Sequence, residues 1–194
     1  NLSTTTNPLL NAWQYTYATT TDRLRGNRTK ETDPLGNSVD YTYDAAGRVI
    51  TITTHPSVNG ALVTTKEYDS RGNLVSVTDP NMVKTCWEYE MRNLVSKMRR
   101  ACGDPVEETV TQYTYDLNGH MASVVTPRGL NTPSQFTYTY VFDTRDRLKL
   151  ETDPNGKVRQ YDYDTLNRLT KVTNPNGTMV QYGYDALGRR KSVT

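Results

Sequence analysis

Six aspartates that recur in a shared sequence context are the first residues in this chain to consider for chemistry. They are Asp44, Asp69, Asp116, Asp143, Asp164 and Asp185. Carboxylate pairs carry out glycoside hydrolysis, and clusters of carboxylate oxygens bind calcium. A unique active site, however, does not need the same residue at a regular interval along the chain. We therefore predict that these aspartates shape turns, and we predict no catalytic residue, no metal site and no cofactor.

The two histidines, the two cysteines and one further carboxylate pair are the other candidates for a reactive site. A Cys86 thiolate beside His120 would form a nucleophilic pair, but no sequence context supports it. Cys86 and Cys102 flank two adjacent predicted strands, so a disulfide is open to them, although we favour free thiols. His55 precedes a proline in an apparent insertion. Asp162 shares one strand face with the aspartate two residues later, and we expect solvated charge there.

Tyrosines recur in pairs two residues apart, which places both rings of a pair on one face of a strand. Such rings could stack on sugars or on nucleic-acid bases. Their repetition instead favours a structural role in cross-strand ladders. The pairs are Tyr15/Tyr17, Tyr41/Tyr43, Tyr113/Tyr115, Tyr138/Tyr140, Tyr161/Tyr163 and Tyr182/Tyr184.

The chain is a tandem repeat, and this is its dominant sequence feature. One copy reads Tyr43-Asp44-Ala45-Ala46-Gly47-Arg48-Val49, and we count about eight copies, of which the first and fourth are eroded. The closest spacing is 21 residues, seen between the aspartates at positions 143, 164 and 185. The copies begin at Tyr17, Tyr43, Tyr68, Tyr89, Tyr115, Phe142, Tyr163 and Tyr184.

Two kinds of turn punctuate the repeat. In the Asp-x-x-Gly turn, the aspartate accepts backbone N–H groups from the turn that it opens, and the glycine tolerates the positive φ that closes it. In the Asp-Pro-x-Gly turn, proline presets φ for a type I turn and glycine again takes the left-handed position. Besides the six aspartates, we predict structural turn roles for Gly47, Gly72, Gly119, Gly188, Pro34, Pro154 and Pro175.

The turns divide the chain into short strands. Gly and Pro interrupt any apolar stripe of helical period, and the 14 Tyr together with many Thr favour strands. Both faces of the strands mix polar and apolar residues. We therefore predict an all-β fold, an antiparallel β-hairpin meander of about sixteen strands in a single-layer curled sheet that spirals into a hollow shell. Insertions at 55–62, 101–108 and 128–135 should protrude as loops.

Composition excludes several classes of function. Lys and Arg number 23 and Asp and Glu 21, so the net charge of +2 leaves no basic patch for nucleic acid. No apolar run approaches the roughly 20 residues that span a bilayer, and the N-terminus lacks a signal-peptide pattern. The first residue is not Met, so we expect residues 1–194 to be a fragment of a larger protein.

The Tyr-Asp-x-x-Gly-Arg-Leu pattern, with Thr-x-Pro-x-Gly about ten residues later, resembles the tyrosine-aspartate (YD) repeats of the Rhs family. The resemblance covers nearly the whole chain. That family includes bacterial polymorphic toxins, insecticidal Tc toxin components and animal teneurins. In its members the repeats resemble a β-ribbon that spirals into a cocoon, and in the toxins the cocoon encloses a variable C-terminal effector. The terminal segment that carries the family's protease aspartates is not recognisable here.

The resemblance implies that residues 1–194 are a non-enzymatic shell segment that encapsulates a C-terminal toxin or effector polypeptide for secretion and delivery. Its partners would be the remainder of the parent shell and the enclosed polypeptide, with no nucleic acid and no membrane span. Its location would be secreted or associated with a bacterial cell surface. The alternative is a teneurin-like adhesion module that binds a cell-surface glycan or receptor.

Overall fold

The computed structural model describes residues 2–6, 12–19, 26–56, 60–127 and 136–194. Over these ranges the chain contains seventeen β-strands and no α-helix, so the predicted all-β antiparallel meander is confirmed. The described residues include no helix that is long and apolar enough to cross a lipid bilayer. The chain divides into two compact units, one of residues 1–88 and 99–108 and the other of residues 89–98 and 109–194.

The first unit is a run of hairpins in which each strand pairs antiparallel with the next one along the chain. The first strand lies before the first Tyr-Asp copy, and this is why the described chain has one strand more than the sixteen predicted. The strands are β1 (Leu2–Thr6), β2 (Ala12–Tyr17), β3 (Arg28–Thr32), β4 (Ser38–Tyr43), β5 (Val49–His55), β6 (Leu62–Tyr68), β7 (Leu74–Thr78) and β8 (Lys84–Tyr89), of which the last residue belongs to the second unit.

The second unit continues the same design. Strand β9 (Val95–Arg100) gives residues 95–98 to this unit and its last two residues to the first. From β10 onward each strand again pairs antiparallel with its successor. The remaining strands are β10 (Thr109–Tyr115), β11 (Met121–Val125), β12 (Thr137–Phe142), β13 (Leu148–Thr152), β14 (Val158–Tyr163), β15 (Leu169–Thr173), β16 (Met179–Tyr184) and β17 (Arg190–Val193).

A β-bulge lies beside the aromatic residue in each paired hairpin that a Tyr-Asp turn closes. In the β4–β5 hairpin, Thr42 faces Thr51 but Tyr43 faces Val49, so Ile50 has no cross-strand partner. A bulge bends its strand and increases the local right-handed twist. These hairpins therefore add twist at every repeat. The same register shift precedes Tyr17, Tyr68, Tyr115, Phe142, Tyr163 and Tyr184.

Very few side chains are buried in the described parts of the chain. Val110 retains 8% of its surface, and the polar residues Ser38 and Ser76 retain 8% and 3%. Most strand residues are half-buried, because an unlayered sheet leaves both of its faces near solvent. The sheet must therefore be held mainly by backbone ladders, by cross-strand pairs and by contacts between neighbouring repeats.

Candidate functional site: the tyrosine–aspartate turns

The aspartate of each Tyr-Asp copy closes a tight turn through both its backbone and its side chain. Between β4 and β5, Oδ1 of Asp44 accepts the N–H groups of Ala46 (2.9 Å) and Arg48 (3.0 Å). The Gly47 N–H donates to the Asp44 carbonyl (3.0 Å), and the Asp44 N–H donates to the Arg48 carbonyl (2.9 Å). Gly47 has a φ of 82°, the left-handed conformation that follows a type I turn in a common hairpin connection.

The same arrangement recurs in the other Tyr-Asp turns. Oδ1 of each aspartate accepts the N–H groups two and four residues further on, at 2.8–3.1 Å, in the turns of Asp69, Asp116, Asp143, Asp164 and Asp185. The turn-closing residue has positive φ in each: Gly72 (92°), Gly119 (91°), Asp146 (62°), Asn167 (65°) and Gly188 (79°). The six carboxylates thus lie in six separate turns. Within the described residues no cluster of three potential metal ligands occurs.

The Asp-Pro turns are built from the same hydrogen bonds. Oδ1 of Asp33 accepts the N–H groups two and four residues on, both at 2.8 Å, and Asp153 does so at 2.9 Å. Asp79 forms the same two bonds, both at 2.9 Å. The turn that begins with Asn174 differs, because Oδ1 of Asn176 accepts the Thr178 N–H at 3.1 Å instead. In each of these turns the second residue is a proline, which has no backbone N–H and so leaves no donor unpaired there. The prolines predicted for this role are Pro34, Pro154 and Pro175.

An arginine four residues after the aspartate connects one Tyr-Asp turn to the next. Nε of Arg147 donates to Oδ2 of Asp143 at 2.8 Å. A terminal nitrogen of the same guanidinium donates to the Asp164 carbonyl (3.1 Å) and to Oδ1 of Asn167 (3.0 Å), both in the following turn. The guanidinium carbon also lies 4.6 Å from the ring centre of Tyr163, within cation–π range. We call this set of contacts between consecutive turns a rung.

Two further arginines form rungs of the same kind. Arg48 lies 4.7 Å from the ring centre of Tyr68 and donates to the Asp69 carbonyl at 3.3 Å. Arg168 lies 4.6 Å from the ring centre of Tyr184. No role for these arginines was predicted from the sequence. Their recurrence four residues after the aspartate was a signal that could have revealed it, and it is seen in Arg48, Arg147, Arg168 and Arg189.

The two tyrosines of a pair have different hydrogen-bond partners. The second tyrosine donates to a backbone carbonyl of the preceding Tyr-Asp hairpin, as Tyr163 does to Leu148 at 2.9 Å. In two pairs the first tyrosine donates to a carboxylate on the neighbouring strand, Tyr41 to Oε1 of Glu31 at 3.0 Å and Tyr161 to Oε2 of Glu151 at 2.9 Å. Because these hydroxyls are bonded internally and several rings stack on arginines, the tyrosines serve the sheet rather than an open stacking platform. The hydroxyls of Tyr68, Tyr115 and Tyr184 likewise donate to a backbone carbonyl in the hairpin of the preceding copy.

The turn carboxylates are held in their charged form. A hydrogen bond from the Arg147 side chain, opposed by desolvation, lowers the pKa of Asp143 to about 2. Hydrogen bonds from the backbone N–H of Arg48 and from the Arg189 side chain lower the pKa values of Asp44 and Asp185. A general acid or base works best with a pKa near the working pH. These carboxylates are therefore suited to holding turns rather than to moving protons.

The prediction that Cys86 and Cys102 are free thiols is wrong. Cys86 and Cys102 form a disulfide within the first unit, with their Cα atoms 6.1 Å apart. The Cys102 N–H also donates to the Lys84 carbonyl at 2.9 Å, which fixes the residues after β9 against β8. A disulfide sulfur is not a thiolate, so the pairing of Cys86 with His120 as a nucleophile fails.

The other candidate side chains lie in ordinary polar contacts. Asp162 pairs with Lys171 at 2.9 Å, whereas Asp164 closes its turn, so the two carboxylates do not act as a pair. Nε2 of His55 lies 2.8 Å from Oδ2 of Asp40. These contacts join neighbouring strands and leave no cluster of reactive groups at either place.

Only part of the predicted insertions falls within the described residues. In the segment 101–108, Oδ1 of Asp104 accepts the N–H groups of Val106 (2.8 Å) and Glu107 (3.0 Å), so this connection is a hydrogen-bonded turn. Val106 remains 87% exposed at its tip. The insertion at 128–135 lies outside the described residues, as do 57–59 of the first insertion and residues 20–25 of the first repeat.

Comparison with known proteins gives this repeat architecture its class. The family model described as Teneurin YD-shell matches residues 25–194. This repeated antiparallel sheet with its tyrosine–aspartate turns is therefore of the YD-shell class. The chain belongs to the YD-shell family, and it is a segment of such a shell. A search of the curated proteins found no match.

Solved structures with the same fold come from Tc toxins. A structure of the Photorhabdus luminescens Tc holotoxin pore aligns with a TM-score of 0.76 and 19% identity over 93% of this chain. A crystal structure of TcdB2-TccC3 without the hypervariable C-terminal region aligns with a TM-score of 0.75, also at 19% identity and 93% coverage. At this identity the likeness shows the fold alone. The chain spans 10% of the length of each of these proteins.

Proposed function

We propose that this segment forms part of the wall of a larger YD shell, and that the shell encloses a polypeptide passenger for secretion and delivery. The observation that carries the proposal is the way in which the sheet is stabilised. Rungs between turns hold it, and almost no buried core is needed, with Val110 the sole buried apolar residue of the described chain. A sheet held in this way can separate two spaces without a second layer behind it.

The strand faces fit the role of a container wall. They are half-buried and mix Thr, Lys, Gln and Val, as in β14 and β15. A surface of this kind offers no deep apolar groove, so it can border a passenger without binding it tightly. Tight binding would oppose release. In this function the passenger is protected because protease cannot reach it, and the wall residues act structurally.

The partners in this proposal are the rest of the shell and the enclosed polypeptide. One protein of similar fold, TcdB2-TccC3, has a hypervariable C-terminal region. A region of this kind is what we expect where one shell design encloses different passengers. By analogy, we propose that the polypeptide containing this segment carries a variable passenger and is secreted.

Limited proteolysis of the full-length polypeptide tests enclosure. Its passenger should resist an added protease, whereas the passenger of a version without residues 1–194 should be cleaved rapidly. A matched control is the full-length polypeptide with Arg190→Ala, since the exposed Arg190 side chain forms no rung. Its passenger should resist as well as that of the unaltered protein. Equal cleavage of the passenger with and without the segment would refute enclosure and favour the adhesion module.

A further inference from the structure

One rung of the second unit departs from the repeat at three positions, and all three departures meet in space. The turn of Asp116 has His120 where four other turns have arginine and the Asp69 turn has asparagine. The following copy begins with Phe142 instead of tyrosine, and its turn is closed by Asp146 instead of glycine. These three residues form a rung of their own between the Asp116 turn and the next turn.

The imidazole of His120 lies between two carboxylates and against an aromatic ring. Its Nδ1 atom is 3.0 Å from Oδ2 of Asp116, and its Nε2 atom is 3.6 Å from Oδ1 of Asp146. The ring stacks on Phe142 with centres 4.5 Å apart. The His120 side chain is 24% exposed, so it is shielded but reachable by water.

Histidine and phenylalanine at these two positions cannot make the arginine and tyrosine contacts of the other rungs, which do not depend on pH. An arginine in this position stays charged at all working pH values, and a tyrosine would donate its hydroxyl to a backbone carbonyl as Tyr163 does. Phe142 has no hydroxyl. The link between these two turns therefore depends on the imidazole, helped by a hydrogen bond from Asn118 to Oδ1 of Asp146 at 3.0 Å.

The remaining charged groups around the imidazole are accounted for. Arg92 points its guanidinium to the backbone carbonyls of Asp116 (2.7 Å) and Leu117 (3.3 Å), and it pairs with Glu90. In the next turn, Asp143 is paired with Arg147 at 2.6 Å. The two carboxylates that face His120 are therefore those of Asp116 and Asp146.

We propose that this rung is a pH-responsive joint, which tightens when His120 takes up a proton. A neutral imidazole has a single N–H and no net charge, whereas the protonated ring carries an N–H on each nitrogen and a positive charge that attracts both carboxylates. Histidine is the side chain whose charge changes between about pH 5 and pH 8. Asp146 has a left-handed backbone conformation (φ 62°) that glycine would adopt more easily. The aspartate at this strained position places a carboxylate near the ring.

Asp116 stays ionised over the same pH range. Desolvation opposes ionisation, but hydrogen bonds from the side chain and the backbone N–H of His120 lower the pKa of the carboxyl. The negative charge of Asp116 therefore remains available to a protonated imidazole. The joint is expected to be tighter in mild acid than at neutral pH.

Hydrogen exchange on the complete 194-residue chain tests the joint. The N–H groups of Gly119, His120 and Asp146 all bond within the two turns and report their opening. After correction for the intrinsic pH dependence of exchange, their protection should rise about two- to fivefold between about pH 8 and pH 5. The N–H of Gly47 in the first unit serves as an internal reference and should not change in this way.

Three variants separate the joint from a general pH effect. His120→Arg should keep the turns protected at both pH values, because arginine stays charged. Asp146→Gly should fold with less backbone strain and lose most of the pH response. His55→Asn, which removes the other histidine, should keep the full response. A response that survives in Asp146→Gly, or no response in the unaltered chain, would overturn the proposal, and neither result bears on enclosure.

Discussion

The hydroxyl of Tyr163 gives the most direct test of the contacts between repeats. It donates to the Leu148 carbonyl at 2.9 Å, while the ring lies under the guanidinium of Arg147. Tyr163→Phe keeps the ring and removes only this bond. An intramolecular hydrogen bond of a half-buried group contributes about 1 kcal/mol. At room temperature this is about a fivefold increase in the opening of the β13–β14 region.

A second substitution at the same position separates the ring from the hydroxyl. Tyr163→Leu removes both, and a cation–π contact at a partly exposed site adds about 0.5–1 kcal/mol to the loss. We therefore expect Tyr163→Phe and Tyr163→Leu to lower the free energy of unfolding in two steps. Urea unfolding gives the total change, and amide exchange of β13 and β14 shows whether the change is local.

Tyr138→Phe is the matched control, because Tyr138 lies on β12 and its hydroxyl makes no hydrogen bond to the described residues. It should change the stability by less than about 0.5 kcal/mol. If Tyr163→Phe and Tyr138→Phe have the same effect, the hydroxyl bond does not stabilise the sheet and the reasoning about this contact between repeats is wrong. Loss of exchange protection throughout the chain would equally contradict a local role.

Three other predictions concern the turns and the disulfide. Gly188→Val should lower the free energy of unfolding by about 1 kcal/mol or more, because a β-branched residue is strained at a φ of 79°. Gly60→Val, at a position without positive φ, should lower it less in the same urea titration. The folded-state pKa of Asp143 is about 2, below its ordinary value of 3.8. The stability that its ionised carboxylate contributes should therefore be complete above about pH 4 and should be lost as the pH falls to about 2. Asp143→Asn should remove that part of the acid transition. Reduction of the Cys86–Cys102 disulfide, which spans 16 residues, should destabilise the first unit by about 3 kcal/mol, and Cys86→Ser combined with Cys102→Ser should remove the effect of reductant.

The local part of the site follows from the sequence, because its contacts lie within one turn. Asp44 bonds to residues two and four positions away, and Gly47 closes the same five-residue segment. A contact of this range depends on residue type and spacing alone. Asp146 and Asn167 show the limit, since glycine is replaced there while the backbone still adopts positive φ.

The contacts between turns could not be predicted in the same way. Arg147 reaches the Asp164 carbonyl across 17 residues, in a hairpin whose register shifts at the bulge before Tyr163. The sequence shows the arginine but not which ring or carbonyl it meets. The disulfide was missed for a similar reason, since the approach of Cys102 to β8 depends on the path of the chain after β9.

By itself the sequence determined the period, the strand-and-turn alternation and the family, because repeated short-range signals agree with one another in every copy. The tertiary structure decided how the copies are joined. Arginine, tyrosine and backbone carbonyl come from different hairpins, and strand pairing with its bulges brings them within 3–5 Å of one another. It also brought His120, Phe142 and Asp146 into one rung, because residues that are far apart in the chain become neighbours only when successive turns stand side by side along the sheet.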